Sequence, residues 1–315
     1  MNAKEKGQIG GFVRGVFLRV PHGLFLIFLL VQLLPNQTAK PDAPIYAVVL
    51  SAALEAALIA ALAVSRRGGS RLFADIVCVI YAALIVWTLA TAKLNIIRET
   101  LFPPPGVVLR QLITDVPQLF GHIAGSLSLV ALGYFLALAF SIPAGLFLGY
   151  NARLGNAASY VAKFLGAIPP VVYIPYGIAL LPSFRSVSVM VIFLASFWPV
   201  LGGTMSGVMY VEKRIVDSAR ALNVRGFTML FRVLLNAALP QILIGCSQGL
   251  TVSFILLTSA EMIGARRGMG YYVKNYSDLG NYTRTIVGVL VIGVVISLVF
   301  FAFNRLQKFL LRWKT

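Results

Sequence analysis

The sequence predicts an all-α polytopic membrane protein. Three observations carry that expectation. The chain of 315 residues is 59% hydrophobic with a mean hydropathy of +0.87, too apolar for a soluble domain. Its apolar residues fall in runs near the ~20 residues a helix needs to cross a bilayer. Short segments rich in Lys and Arg separate those runs, as cytoplasmic loops do.

About eight spanning helices are expected. The first lies at 15–34, where Arg19, Pro21 and His22 leave a clean apolar run only from Gly23. A basic start with a short apolar core also describes a signal peptide, but no small-x-small cleavage site follows. The second span is 45–64 and the third 72–92, with a basic turn at 65–71 between them. The stretch 93–119 is more polar and carries Phe102-Pro-Pro-Pro-Gly106. A proline run stops helices, so an outer loop with a short interfacial helix at 107–113 is expected. The fourth span is 123–148. The fifth, 158–181, is broken by Pro169, Pro170 and Pro175. The sixth, 187–209, holds Pro199, the seventh is 239–259, and the eighth, 285–310, follows an outer loop at 260–283. The C-terminal tail is basic, and an even number of spans places the N-terminus, with Lys4, Lys6 and Arg14, on the same cytoplasmic side.

The formal net charge is +17. Of the 27 Lys and Arg, this topology puts eighteen on the cytoplasmic side and nine outside, so part of the excess is topological and no nucleic-acid partner is expected. The outer segments carry about five acidic groups (Asp42, Glu99, Asp115, Glu261, Asp278) against those nine cations, which favours an anionic ligand or an acidic docking partner. Cys78 and Cys246 fall inside spans and read as small buried side chains. His22 and His122 have no second ligand at metal spacing. No phosphate-binding loop, nucleophile elbow or zinc motif occurs, so no catalytic residue, metal or bound cofactor is expected. Three small-xxx-small pairs, Gly145/Gly149, Gly203/Gly207 and Gly245/Gly249, suit close helix packing within the chain.

One segment differs from the rest. From Tyr210 to Pro240 the chain is charged and amphipathic, with Val211, Ile215, Ala219 and Leu222 at helical spacing and Glu212, Lys213, Asp217 and Arg220 on the other side. It lies in water on the basic, cytoplasmic side, where an amphipathic helix is a docking surface. In the membrane, Pro169, Pro170 and Pro175 bend the fifth span, either as a packed kink or as irregular backbone facing a cavity. Trp198, Gln248, Ser253 and Thr258 are further candidates for the pathway, though such residues also bond helices together. Glu261 reads as an outer gate or docking residue paired with Arg266 and Arg267. Glu55, in mid-span, reads as packed inward and paired or protonated.

The stretch Asp217-Ser-Ala-Arg-Ala-Leu-Asn-Val-Arg-Gly226, continuing to Ala238-Leu-Pro240, resembles the EAA loop of the membrane subunits of binding-protein-dependent ABC importers. Ala167-Ile-Pro-Pro-Val-Val-Tyr-Ile-Pro-Tyr-Gly-Ile178, Ser259-Ala-Glu-Met-Ile-Gly-Ala-Arg-Arg-Gly-Met-Gly-Tyr-Tyr272 and Phe102-Pro-Pro-Pro-Gly-Val-Val-Leu109 resemble the nitrate/sulfonate/taurine permease branch. Together they cover about 95–310. The sequence departs from the pattern at Asp217 (usually Glu), at Asn223 (usually Gly) and at Asn236 (usually Pro). Leu181-Pro-Ser183 also stands where the branch usually has Trp-Phe-Gly.

The resemblance implies a type I importer core from 72 to 315, with two extra N-terminal helices in 1–71. It implies a coupling helix at about 211–227 that lodges in a separate ATPase: Asp217 and Arg220 making polar contacts, Ala219 small enough to fit, Asn223, Val224 and Gly226 forming the turn, and Phe227 anchoring it. The implied partners are two ATPase subunits carrying ATP and Mg, an extracytoplasmic solute-binding protein and a second permease copy. The implied setting is the bacterial inner membrane, and the implied cargo a small anion. A vitamin precursor is an alternative cargo, and an ion-gradient-driven secondary transporter an alternative mechanism.

Overall fold

The computed structural model describes residues 20–37, 42–64, 69–98 and 100–312. Among these residues every regular element is helical. The helices are α1 (Val20–Leu33), α2 (Pro44–Val64), α3 (Gly69–Thr88), α4 (Pro105–Tyr150), α5 (Ala152–Gly166), α6 (Ile174–Leu180) and α7 (Phe184–Met209). They continue with α8 (Lys213–Ala221), α9 (Gly226–Thr228), α10 (Leu235–Gly264), α11 (Met269–Asp278) and α12 (Tyr282–Leu310). A π turn at Leu89–Lys93 extends α3, and another at Met229–Leu234 joins α9 to α10.

Six helical segments are long and apolar enough to cross a membrane, and a seventh if α5 and the following Pro170–Leu180 helix, bent by 71°, form one span. The protein is thus an all-α polytopic membrane protein. The described part of the first expected span, α1, is shorter than a full crossing; positions 15–19, the N-terminal cations, the turn at 65–68 and Lys314 lie outside the described residues. The outer loop expected at 93–119 is mostly helix. Pro105 opens α4, which then runs unbroken for 46 residues through Pro117 and Pro143. The short helix expected at 107–113 is therefore its first turns. Pro is well suited to a helix start, where its missing N–H costs nothing, and α4 hides no apolar-to-polar switch strong enough to stop it. The outer loop expected at 260–283 likewise contains the end of α10 and all of α11.

The chain packs as two compact units, Met1–Val116 with Tyr276–Val287, and Pro117–Asn275 with Gly288–Thr315. The first has an apolar interior of Leu58, Ala74, Val77 and Tyr81, continued by Phe28, Ala47 and Leu84. Polar groups inside it are matched. Glu55 is buried, accepts from the Tyr81 hydroxyl at 2.9 Å, and contacts His22 Nδ1. The buried Lys93 ammonium donates to the Gln32 and Leu34 carbonyls at 3.1 and 2.7 Å and to Asn36 Oδ1 at 2.6 Å. Lys93 thereby satisfies carbonyls that the end of α1 leaves open. The Trp87 ring lies 5.2 Å from Phe102 and its Nε1 donates to the Pro103 carbonyl at 3.0 Å. Arg284 grips the buried Asp115 at 2.9 and 3.3 Å.

The second unit is built on α7 and α10. A Cβ placed on Gly203 would stand 2.9 Å from Gly245 Cα, and one on Gly249 3.1 Å from the Ser196 carbonyl. Gly145 and Gly149 meet Thr204 and Met205 of α7 just as closely. All three glycine pairs thus sit in seams within the chain, where small residues let helix backbones approach.

Candidate functional site

The charged segment forms α8 and a sharp turn. After the Leu222 cap the chain enters the left-handed region at Asn223, φ 57°. The Asn223 amide donates to the Arg220 carbonyl at 2.8 Å and the Val224 amide to Ala219 at 2.9 Å. This pair of bonds satisfies the last carbonyls of the helix, and Asn tolerates the left-handed conformation better than any residue but Gly. Gly226 follows with φ 59°.

The faces of α8 differ from the sequence expectation. Ala219 is buried among Leu146, Val208, Met229, Leu234 and Ala238, with Val211, Val216 and Val224 packed against the same cluster. Ala219 is therefore small to fit the core of its own chain, whereas the resemblance made it small to fit a partner. Ile215 and Leu222, grouped with Ala219 by spacing, are exposed. The exposed surface consequently joins Leu222 and Phe227, about 80% open each, to Asp217 and Arg220. The Asp217–Arg220 pair is 4.0 Å apart and mostly solvated, so it adds little stability. Phe227 stacks on Phe231 at 6.1 Å.

In the broken span the three prolines play two parts. Pro169 is extended (φ −60°, ψ 120°) and Pro170 opens a 3₁₀ turn, so these two make the break. Pro175 lies in the first turn of α6, where Pro is compatible with the helix. On the α5 side of the break is a cavity of about 430 Å³, lined by Lys163, Gly166, Trp198, Pro199, Ser206 and Gln248 among others. Trp198 and Gln248 thus come together as lining residues. Ser253 does not reach it: it is buried between helices, bonded to the Ser196 hydroxyl and the Gly249 carbonyl. Thr258 bonds back to the Phe254 carbonyl at 2.9 Å.

Glu261 is 1% exposed and is not paired with the arginines beside it. Its carboxylate accepts from Ser126 Oγ at 2.6 Å and from the Gly270 amide at 2.7 Å. Ser126 Oγ in turn accepts from the Met269 amide at 2.8 Å, and His122 Nδ1 from the Gly268 amide at 3.1 Å. Three successive amides that open α11 therefore find side-chain acceptors from α4 and α10, which is what the unpaired first amides of a helix require. A Cβ at Gly268 would fall 2.3 Å from the Glu261 carboxyl carbon and one at Gly270 2.5 Å from the Thr258 carbonyl; only glycine fits both positions. Arg267 Nε instead donates to the Gly121 carbonyl at 2.9 Å.

Sequence reasoning missed Ser126, His122 and Lys163. The first two are single polar residues in an apolar run, with no spacing that ties them to Glu261 more than a hundred residues away. Lys163 carried a readable signal, a lone cation inside an expected span.

The chain matches the family "Binding-protein-dependent transport system inner membrane component" over residues 141–315. It is 31% identical over 234 residues to the taurine transport system permease protein TauC of Escherichia coli (strain K12), covering 72% of this chain and 84% of that protein. It is 28% identical over 225 residues to the putative aliphatic sulfonates transport permease protein SsuC of Bacillus subtilis (strain 168), covering 70% and 81%. With the nitrate import permease protein NrtB of Leptolyngbya laminosa the identity is 27% over 177 residues, covering 56% and 63%. A helical, multi-pass fold with an exposed charged helix between two spans, joined to these likenesses, leads to one assignment: the chain belongs to the family of binding-protein-dependent transport system inner membrane components, as an ABC importer permease of the nitrate/sulfonate/taurine branch.

Proposed function

We propose that this permease forms the translocation pathway for a small anionic solute and couples it to a separate ATPase through the exposed face of α8 and the turn after it. One observation carries the coupling reading. α8 turns Val216 and Ala219 into its own core and leaves Leu222, Phe227, Asp217 and Arg220 open together. An apolar patch of this kind, rimmed by charge and set between two spans, fits a soluble partner. Each chain supplies one such surface, and a pair of ATPases needs two, so the working assembly is a homodimer with two ATPase subunits. ATP and Mg reside on those subunits, and this chain binds no cofactor. The solute arrives on an extracytoplasmic binding protein. The chain resides in the bacterial cytoplasmic membrane with both termini inside, and the helices of 1–71 are an addition to the importer core.

Support for an anionic cargo comes from the substrates named for the relatives, taurine (through its sulfonate), nitrate and aliphatic sulfonates, and from the cationic excess of the outer segments. ATP-driven closure would move two α8 helices together and exchange inward- and outward-open states, each favoured by a different ligand, as any such shift requires. Copurification of the tagged permease with an ATPase, followed by uptake assays on Phe227→Ala and Asp217→Lys, tests the coupling. Both variants should express normally and lose ATP-driven uptake. Wild-type uptake in both would overturn the assignment of α8.

A further inference from the structure

Lys163 lies on α5, twelve residues beyond the Asn151 cap. It falls five residues inside the expected fifth span, about 8 Å along the axis at 1.5 Å per residue. It is exposed, and among the described residues its ammonium makes no hydrogen bond or ion pair. A lone cation inside a span is costly unless it meets water or an anion. Here it meets the cavity of about 430 Å³ at the α5 break, on whose wall it stands with Trp198, Gln248 and Ser206. Gly166, whose added Cβ would come within 3.2 Å of Trp198 Cβ, lets the end of α5 lie against the indole. Gly202 on the same wall has no atom within 4 Å of where its Cβ would be, so the space is open there. Discontinuous helices at membrane depth are where transported solutes are bound in other transporters.

We propose that Lys163 is the anion-recognition residue of the permease itself. Its ammonium pairs with a small oxyanion in this cavity, the Gln248 amide supplies a second donor, and the Trp198 face takes any apolar part of the solute. The inference rests on the transport reading above and deepens it: selection for negative charge is built into the membrane pathway as well as into the binding protein. A long cationic side chain that merely reached for the interface would leave no excess of anions beside Trp198.

The test reads that excess directly. The chain has three tryptophans, Trp87, Trp198 and Trp313, so Trp87→Phe with Trp313→Phe leaves Trp198 as the only permease indole. In the purified permease complex, iodide should quench Trp198 at least threefold more strongly with Lys163 than with Lys163→Gln. Lys163→Arg should behave as wild type, and quenching by neutral acrylamide should be the same in all three. Equal iodide quenching in wild type and Lys163→Gln overturns the proposal. Uptake of nitrate, taurine and ethanesulfonate by the reconstituted complex adds a second readout. Lys163→Gln should slow the transported anion at least tenfold and Lys163→Arg should not; wild-type rates in Lys163→Gln again overturn it. Failure of the wild type to move any of the three solutes strikes the proposed cargo, while the iodide result still decides the role of Lys163.

Discussion

Replacing Glu261 separates a structural brace from a solute contact. In Glu261→Ala the Gly270 amide and the Ser126 hydroxyl each lose a buried acceptor, at 2.7 and 2.6 Å respectively. An orphaned buried donor costs about 1–3 kcal/mol, so the pair costs roughly 2–6 kcal/mol. Part of the Ser126 loss is recovered if the hydroxyl rotates, because it still accepts from Met269. Glu261→Gln keeps a carbonyl oxygen for Gly270 and turns a donor NH₂ on Ser126 Oγ, whose hydroxyl must then rotate to another acceptor; with Gly270 still paired, the local loss at Met269 and Gly270 should be under about 1 kcal/mol. Amide hydrogen exchange on the detergent-purified complex resolves the difference locally. Each 1.4 kcal/mol is a factor of ten, so exchange at Met269 and Gly270 should rise about 30-fold or more in the Ala variant and less than about 5-fold in the Gln variant. Equal protection in wild type and Ala, or a Gln variant as unprotected as Ala, would refute the brace.

Two further outcomes follow from the turn after α8 and from the Lys93 cap. Asn223→Gly should be neutral in thermal stability and in uptake, because φ is 57° there, whereas the β-branched Asn223→Val should cost about 1–2 kcal/mol and lower the melting temperature of the complex. Lys93→Met removes the donor to Gln32, Leu34 and Asn36 while keeping an apolar stem; these part-buried acceptors can turn to water, so the loss should be about 1–2 kcal/mol, read as faster limited proteolysis between α1 and α2.

Hydrophobic runs and basic turns made the membrane class and most span positions legible, because the length of a spanning helix is fixed by the bilayer rather than by the sequence around it. Helix ends were less so. Pro105 signals a start as readily as a stop, and only the neighbours of Phe102 and Trp87 show which applies. On α8, spacing alone grouped Ile215 with Ala219 and Leu222; the packed face is instead set by Val216 and Ala219 against Met229 and Leu234. That choice depends on partners that periodicity does not name. The Asn223 turn was legible from residue type, since few residues accept a left-handed φ. The Glu261 brace was not, because charge complementarity pointed to Arg266 and Arg267 while the real partners are the Ser126 hydroxyl and the Gly270 amide, neutral groups that no charge pattern marks.

The burial of Ala219 has a mechanical consequence. The cluster that holds it draws on α4, α7, α8 and α10 together, and interiors packed to that degree are stiff. α8 is therefore keyed into the bundle with no slack. A displacement of even an ångström at its outer face must appear at once in four helices, with none of it absorbed by play at the joint.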